Sequence, residues 1–256
     1  MKLLGPDSGL THGDVSITDA SAVAAVIAER KPELVFNCAA YNAVDRAESE
    51  PEVAHEVNAL GPLNLAVACR RHGADLVHFS TNFVFDGALD RPYVEADEPR
   101  PLSAYAISKL EGERLAIGNG AHVLVIRTAA VFGGPASFPM RMLERARKGQ
   151  PLRVVSDQEV NPTYAKDLAA SAVELATSGT AGLVHAVGGG CCGWDELARA
   201  ALSAFGVGAK VESVPSAAYA TPARRPRNGC LATTRYRPLR QWREALQEWA
   251  EEGSRH

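Results

Sequence analysis

No stretch of this 256-residue sequence approaches the roughly 20 consecutive apolar residues of a membrane-spanning helix. No charged segment followed by an apolar one opens it, so neither a span nor a secretory leader is expected. Net charge is also scarce: a formal −3 gives no electrostatic reason to bind nucleic acid or an anionic membrane. The five cysteines, Cys38, Cys69, Cys191, Cys192 and Cys230, are odd in number and irregularly spaced. They read as reduced thiols of a cytoplasmic protein, with Cys38 and Cys69 serving as small hydrophobes in apolar segments. Cys191-Cys192 invites a vicinal disulfide or a metal, but nothing nearby completes a zinc ligand set, so no metal site is expected. Internal repeats and low-complexity tracts are lacking. What is present, 46% hydrophobic and 22% charged residues, suits one large core or two modest ones.

Short apolar runs alternate with longer amphipathic stretches. Residues 34–40, 75–80, 123–127 and 183–187 read as buried strands, and near-continuous hydrophobic strands predict a parallel sheet covered on both faces. Helices are expected over 20–30, 53–72, 105–117 and 165–177, the first capped by Asp19 or Ser21 and the second stopped at His72-Gly73. The alternation predicts an α/β, doubly wound parallel architecture. The last third changes character, with Pro215, Pro222, Pro226 and Pro238 and a basic run at Arg224, Arg225 and Arg227. Trp242 and Trp249 share one face of an expected final helix over 239–250 and read as core anchors, with a frayed tail from Glu251 to His256. By role the chain divides at residue 157. Residues 1–157 form a Rossmann-like dinucleotide-binding domain, joined by the strand near 183–187, and 158–256 are mainly a smaller substrate-binding region.

The chemistry centres on Tyr105-Ala106-Ile107-Ser108-Lys109, which follows the strand end His78-Phe79-Ser80-Thr81. A phenol and an ammonium at i and i+4 lie on one helix face. The cation favours phenolate, so the Tyr can give a proton to a carbonyl oxygen while hydride arrives from elsewhere. The pair lies past a strand end, where sites of doubly wound sheets form.

Leu76 to Gly87, Leu-Val-His-Phe-Ser-Thr-Asn-Phe-Val-Phe-Asp-Gly, resembles the strand and loop of the dTDP-4-dehydrorhamnose reductases, within the extended short-chain dehydrogenase/reductases. Further matches follow in order: Asn37 to Tyr41, Val44 to Glu48, Asn58, Tyr105 with Lys109, Arg127-Thr128, Asp157-Gln158, Asn161-Pro162-Thr163 and Arg225 to Asn228. Each piece alone is weak; the ordered set, over roughly residues 14 to 250, is specific. The resemblance implies that Thr81 holds the substrate carbonyl oxygen and Tyr105 is the general acid. Lys109 lowers the Tyr pKa and binds the nicotinamide ribose, and Asn58 helps a proton-relay water. It implies cofactor contacts from Asp14, Ala39, Ala40, Tyr41, Tyr105 and Lys109, with NADPH or NADH as the cofactor. Substrate contacts fall to Asn82, Asn161, Thr163, Arg225, Arg227 and Asn228. The guanidinium groups of Arg225 and Arg227 match phosphate oxygens; a solvated loop is the alternative for that run, and a simple turn for Asn161 and Thr163.

The glycine-rich strand–turn–helix that normally opens such a fold, its amides reaching a pyrophosphate, is not evident. The chain begins Met1-Lys2-Leu3-Leu4-Gly5-Pro6, where at most 2–4 could be a strand and Pro6 removes an amide donor. Gly5, Gly9 and Gly13 are four apart, and the family pattern has reached its adenine-side acid by Asp14. Most of one βαβ unit is therefore expected to be shortened or deleted, leaving a truncated Rossmann-like sheet that closes up, is patched by 1–4 or is capped by a partner chain. Natural loss, a late start and reorganisation remain alternatives, and a homodimer is the assembly left open. Gly188-Gly189-Gly190 mimics a phosphate loop, but its neighbours match a late family segment, so a turn is expected.

Two departures touch the substrate side. The family usually has Ser-Thr-Asp where this chain has Ser80-Thr81-Asn82, and usually a Trp where Ala130 stands. The leading expectation is an NAD(P)H-dependent reductase of the 4-keto group of a nucleotide-activated deoxysugar. The alternatives are a catalytically impaired sugar-nucleotide-binding or regulatory subunit, and a nucleotide-sugar epimerase or dehydratase.

Overall fold

The computed structural model describes residues 9–253. In chain order the elements are α1 (Ala20–Arg30), β1 (Leu34–Asn37), α2 (Pro51–His55), α3 (Gly61–His72), β2 (Asp75–Thr81), α4 (Ala104–Asn119), β3 (Val123–Thr128), β4 (Val131–Phe132), α5 (Phe138–Arg147), β5 (Leu152–Val155), β6 (Glu159–Val160), β7 (Thr163–Tyr164), α6 (Ala165–Thr177), β8 (Gly182–His185), β9 (Cys192–Gly193), α7 (Trp194–Ala204), β10 (Val211–Val214) and α8 (Trp242–Gly253). Among the described residues β1, β2, β3 and β8 form a four-stranded parallel sheet in that order, as the alternation predicted. The register of the first pair sets Leu34 opposite Asp75 and Asn37 opposite His78.

Local chemistry explains the element ends. Asp19, not Ser21, caps α1 by accepting from the amides of Ser21 and Ala22 at 2.9 and 3.0 Å. Gly73 ends α3 at φ +72°, a left-handed position that glycine takes without steric cost. The expected helix over 53–72 runs from Pro51 but carries a π-helical turn at Glu56–Leu60. The final helix starts at Trp242 and continues through Gly253, so residues 251–253 are helical rather than frayed; 254–256 lie outside the described residues.

Packing groups the chain into two compact units that interleave in sequence. One comprises Met1–Ser80, Ser103–Val125 and Thr180–Gly182; the other comprises Thr81–Leu102, Ile126–Gly179 and Leu183–His256. This grouping by packing is a different matter from the division by role at residue 157. In the first unit α1 packs on α3 and α3 on α4. There β1 is only half-buried and has one neighbour among the described residues, whereas the part of β3 that belongs to this unit, residues 123–125, is buried. The expected patch at Lys2 to Leu4, with Gly5 and Pro6, lies outside the described residues.

In the second unit α7 and α8 enclose Phe132, Tyr164, Leu197, Trp242, Leu246 and Trp249, so both tryptophans are core anchors. A second cluster unites Met142 and Leu143 of α5 with Leu152, Leu202 and Val211. Three small pairings complete this unit: β5 with β10, β4 with β7, and β6 with β9. The Gly188 Cα faces the Pro162 carbonyl so closely that a Cβ would lie 2.0 Å from its oxygen, which gives this glycine a packing role.

Candidate functional site

Tyr105 sits in the first turn of α4, whose start is fixed by Ser103 accepting from the Ala106 amide at 3.3 Å. Four residues on, Lys109 is 2% exposed and donates to the Phe79 carbonyl of β2 at 2.7 Å. Tyr105 is a buried residue whose hydroxyl lies 3.5 Å from Asn42 Oδ1 in the segment after β1. Both side chains are thus turned toward the carboxyl-terminal ends of parallel strands, the edge at which this architecture builds sites. Burial lowers the Lys109 pKa to about 8, while the Glu113 carboxylate one turn later opposes the fall. Glu113 is buried as well and accepts a hydrogen bond from Ser80. Burial, followed by the field of Lys109, holds His78 well below its ordinary pKa, and Asn37 Nδ2 donates to its Nδ1 at 3.0 Å.

Asn58 lies in the π-helical turn, an irregularity often found where a side chain is aimed for function. Its carbonyl faces Gly112 of α4 so closely that a Cβ there would lie 2.0 Å from the oxygen. Its amide oxygen accepts from Tyr41 N at 2.8 Å, and its amide nitrogen donates to Tyr41 O at 3.1 Å and Ser108 Oγ at 3.0 Å. That clamp shapes the backbone after β1, where Cys38 and Ala39 are exposed and Asn37 Oδ1 accepts from the Ala39 amide at 3.1 Å. Asp14 closes an exposed turn, accepting from Thr11 N and Oγ1, each at 2.7 Å.

In the second unit, Thr81 Oγ1 accepts from the Phe83 amide at 3.1 Å, and its own proton has only a long contact, 3.4 Å, to Asn82 Oδ1. Asn82 is buried and donates to Gly229 O at 2.9 Å, which an ionised Asp could not do. Asn161 donates to Gly188 O at 3.2 Å and Gly190 O at 3.1 Å, and accepts from the Leu231 amide at 2.7 Å. Thr163 Oγ1 donates to Asn161 O and accepts from Gly188 N. Asn228 donates to Leu89 O at 2.7 Å and Arg91 O at 2.9 Å. The polar atoms of these four residues therefore hold backbone segments in place. Arg225 donates to Ala223 O at 3.1 Å, whereas Arg227 is exposed and its guanidinium makes no hydrogen bond or ion pair with a described residue. Ala130 takes φ +41°, a left-handed backbone rare for residues with a Cβ.

One cysteine expectation is corrected. Cys191 is bonded to Cys230, with Cα atoms 6.1 Å apart, rather than to its neighbour Cys192 or left as a thiol. The pairing spans 39 positions and depends on tertiary placement that spacing does not encode. Among the described residues no group of three or more His, Cys, Asp or Glu side chains could hold a metal ion, and no helix is long and apolar enough to cross a membrane.

Sequence reasoning missed Glu113, Ser80 and Asn42. The signal for Glu113 was present: it follows Lys109 by four positions on the same helix face. Asn42 carried none, since only the fold brings it to Tyr105.

The RmlD substrate binding domain family model matches residues 5–255. The chain belongs to that family. Within it, the chain is 39% identical over 258 residues to a dTDP-4-dehydrorhamnose reductase of Streptomyces griseus, covering 94% of this chain and 84% of that protein. Among solved structures it resembles the dTDP-4-dehydrorhamnose reductase of Clostridium acetobutylicum, with TM-score 0.93 and 33% identity over 99% of this chain and 93% of that one. The Bacillus anthracis enzyme, solved in complex with NADP, gives TM-score 0.93 and 29% identity over 97% and 92% of the two chains.

Proposed function

We propose that Tyr105, Lys109 and Thr81 carry the proton side of a carbonyl reduction, on the observation that a buried Lys109 is fixed at the end of β2 one turn beyond a buried Tyr105. The chain is an NAD(P)H-dependent oxidoreductase that reduces the 4-keto group of a nucleotide-activated deoxysugar, the chemistry of the dTDP-4-dehydrorhamnose reductases.

The residues after β1 fit the nicotinamide cofactor. Cys38, Ala39 and Ala40 are small, Cys38 and Ala39 are exposed, and the Asn37 and Asn58 side chains fix the backbone around them. When bound, NADPH supplies hydride. Ala39, Ala40 and Tyr41 would line its place, Lys109 would meet its ribose and Asp14 would serve the adenine side.

Tyr105 gives its phenolic proton to the 4-keto oxygen. The Lys109 ammonium stabilises the tyrosinate left behind, because a cation held in a poorly solvated place interacts strongly with a neighbouring anion. Glu113 keeps that amine protonated against its burial. Thr81 donates to the keto oxygen, and Asn58 acts by holding Tyr41 and Ser108. In the region from residue 158 onward, Arg227 and Arg225 meet the diphosphate, and Asn161, Thr163 and Asn228, with Asn82, fix the segments that carry them. The test is NADPH consumption by the purified chain with dTDP-4-dehydrorhamnose: turnover is expected, and its absence with NADPH and NADH alike overturns the assignment.

A further inference from the structure

The segment that carries Arg227 and Asn228 is held on two sides. Glu159 N donates to Arg227 O and Gly229 N to Glu159 O, each at 2.8 Å, so β6 pairs along this segment. On its other side β6 pairs antiparallel with β9, Val160 opposite Cys192 and Glu159 opposite Gly193. The Cys191–Cys230 bond therefore staples the two neighbours of β6 to each other. Asn161, just after β6, ties the same two segments by hydrogen bonds, to Gly190 O on one and from Leu231 N on the other.

One of the three sulfurs is accessible. Cys191 is exposed, whereas Cys230 and Cys192 are each 2% exposed, and of these two only Cys230 is bonded to Cys191. Burial in the company of Glu196 pushes the Cys192 thiol up to about 12, so it does not compete as a thiolate. An outside reagent reaches Cys191, and the buried sulfur in bonding contact with it is that of Cys230, which is the arrangement of an exchangeable pair.

We propose that Cys191 and Cys230 form a thiol–disulfide exchange site at which a low-molecular-weight disulfide or thiol sets the order of the diphosphate-binding segment. In the forward direction the Cys191 thiolate attacks one sulfur of the reagent RSSR. The reagent's S–S bond breaks, one RS⁻ leaves, and a mixed disulfide remains on Cys191. The Cys230 thiolate then attacks the Cys191 sulfur and expels the second RS⁻. Two protein thiols are oxidised, one reagent disulfide is reduced to two thiols, and the two protons released by the cysteines end on those thiols. Reduction by an excess of small thiol runs the same steps backward.

The consequence for binding rests on the role proposed above for Arg225, Arg227 and Asn228. With the staple in place these residues are presented already ordered; with it open, binding must order them.

The experiment equilibrates the full chain in glutathione buffers of varying oxidised-to-reduced ratio, quenches exchange with acid, denatures the chain, alkylates free thiols and maps the peptides. Affinity for dTDP is measured by calorimetry in the same buffers. The bridge is expected to appear and vanish reversibly between Cys191 and Cys230, with Cys192 a free thiol at every ratio. Opening it should weaken dTDP about three- to tenfold, the cost of ordering one or two side chains. Cys191→Ser, at an exposed position, should show the weaker affinity at every ratio. Thiols at 191 and 230 that stay alkylatable throughout overturn the exchange site, and equal dTDP affinity in the two forms overturns the coupling. No dTDP binding in either form overturns the proposed function, and the coupling with it.

Discussion

The Lys109 ammonium reaches across from α4 to donate to the Phe79 carbonyl of β2 over 2.7 Å, which holds a charge in a place with almost no access to water. That position gives the amine two measurable properties. Its folded pKa, about 8, lies below the ordinary 10.5, so the unfolded chain binds more protons than the folded one between those values. Stability therefore rises with pH across that window through this group, by up to about 3 kcal/mol. Denaturant unfolding followed from pH about 8 towards 10.5 should show an upward component in the wild type that is lost in Lys109→Met. Activity should move the other way, falling as pH rises through about 8 and the ammonium is lost.

Glu113 opposes the desolvation of Lys109, and Ser80 donates to its carboxylate. Glu113→Gln keeps the shape and removes the anion. The alkaline limb of the activity profile should shift to lower pH, and kcat at neutral pH should drop, both read from steady-state rates across pH.

Gly112 is where α4 meets the π-helical turn. A Cβ at this position would lie 2.0 Å from the Asn58 carbonyl oxygen, a backbone atom that cannot step aside. Gly112→Ala should destabilise by about 1–3 kcal/mol through overpacking, measured by urea unfolding. It should also weaken NADPH binding, because Asn58 holds the Tyr41 backbone.

Much of this arrangement was legible in the sequence. The helix over 20–30 has the expected bounds, and the four expected strands form the expected parallel sheet, although β1 and β8 are only partly buried. The placement of Tyr105 and Lys109 one turn apart on a helix that follows a strand end was visible in the spacing and the apolar runs. The π-helical turn was not, since it leaves no periodicity of its own; it holds Asn58, whose carbonyl lies close against Gly112. Nor was the scaffold role of Asn82, Asn161 and Asn228: an amide reads alike whether it faces a ligand or a distant carbonyl. The pairing of Cys191 with Cys230 was hidden for the same reason, as it arises from β6 lying between their segments.

Arg227 and Asn82 separate binding from scaffold. Arg227→Ala should leave the unfolding midpoint unchanged, because the guanidinium has no hydrogen-bond or ion-pair partner among the described residues, and should raise KM for the sugar nucleotide by about ten- to a hundredfold. Asn82→Asp replaces a buried donor to Gly229 O with a second acceptor and should cost about 1–3 kcal/mol of stability.

The central claim is that Tyr105 delivers the proton, and Tyr105→Phe tests it most directly by removing one oxygen and leaving the ring. With NADPH and dTDP-4-dehydrorhamnose, the account predicts NADPH affinity close to wild type and kcat lower by at least about a hundredfold. Turnover by Tyr105→Phe within a few-fold of the wild-type rate would contradict it.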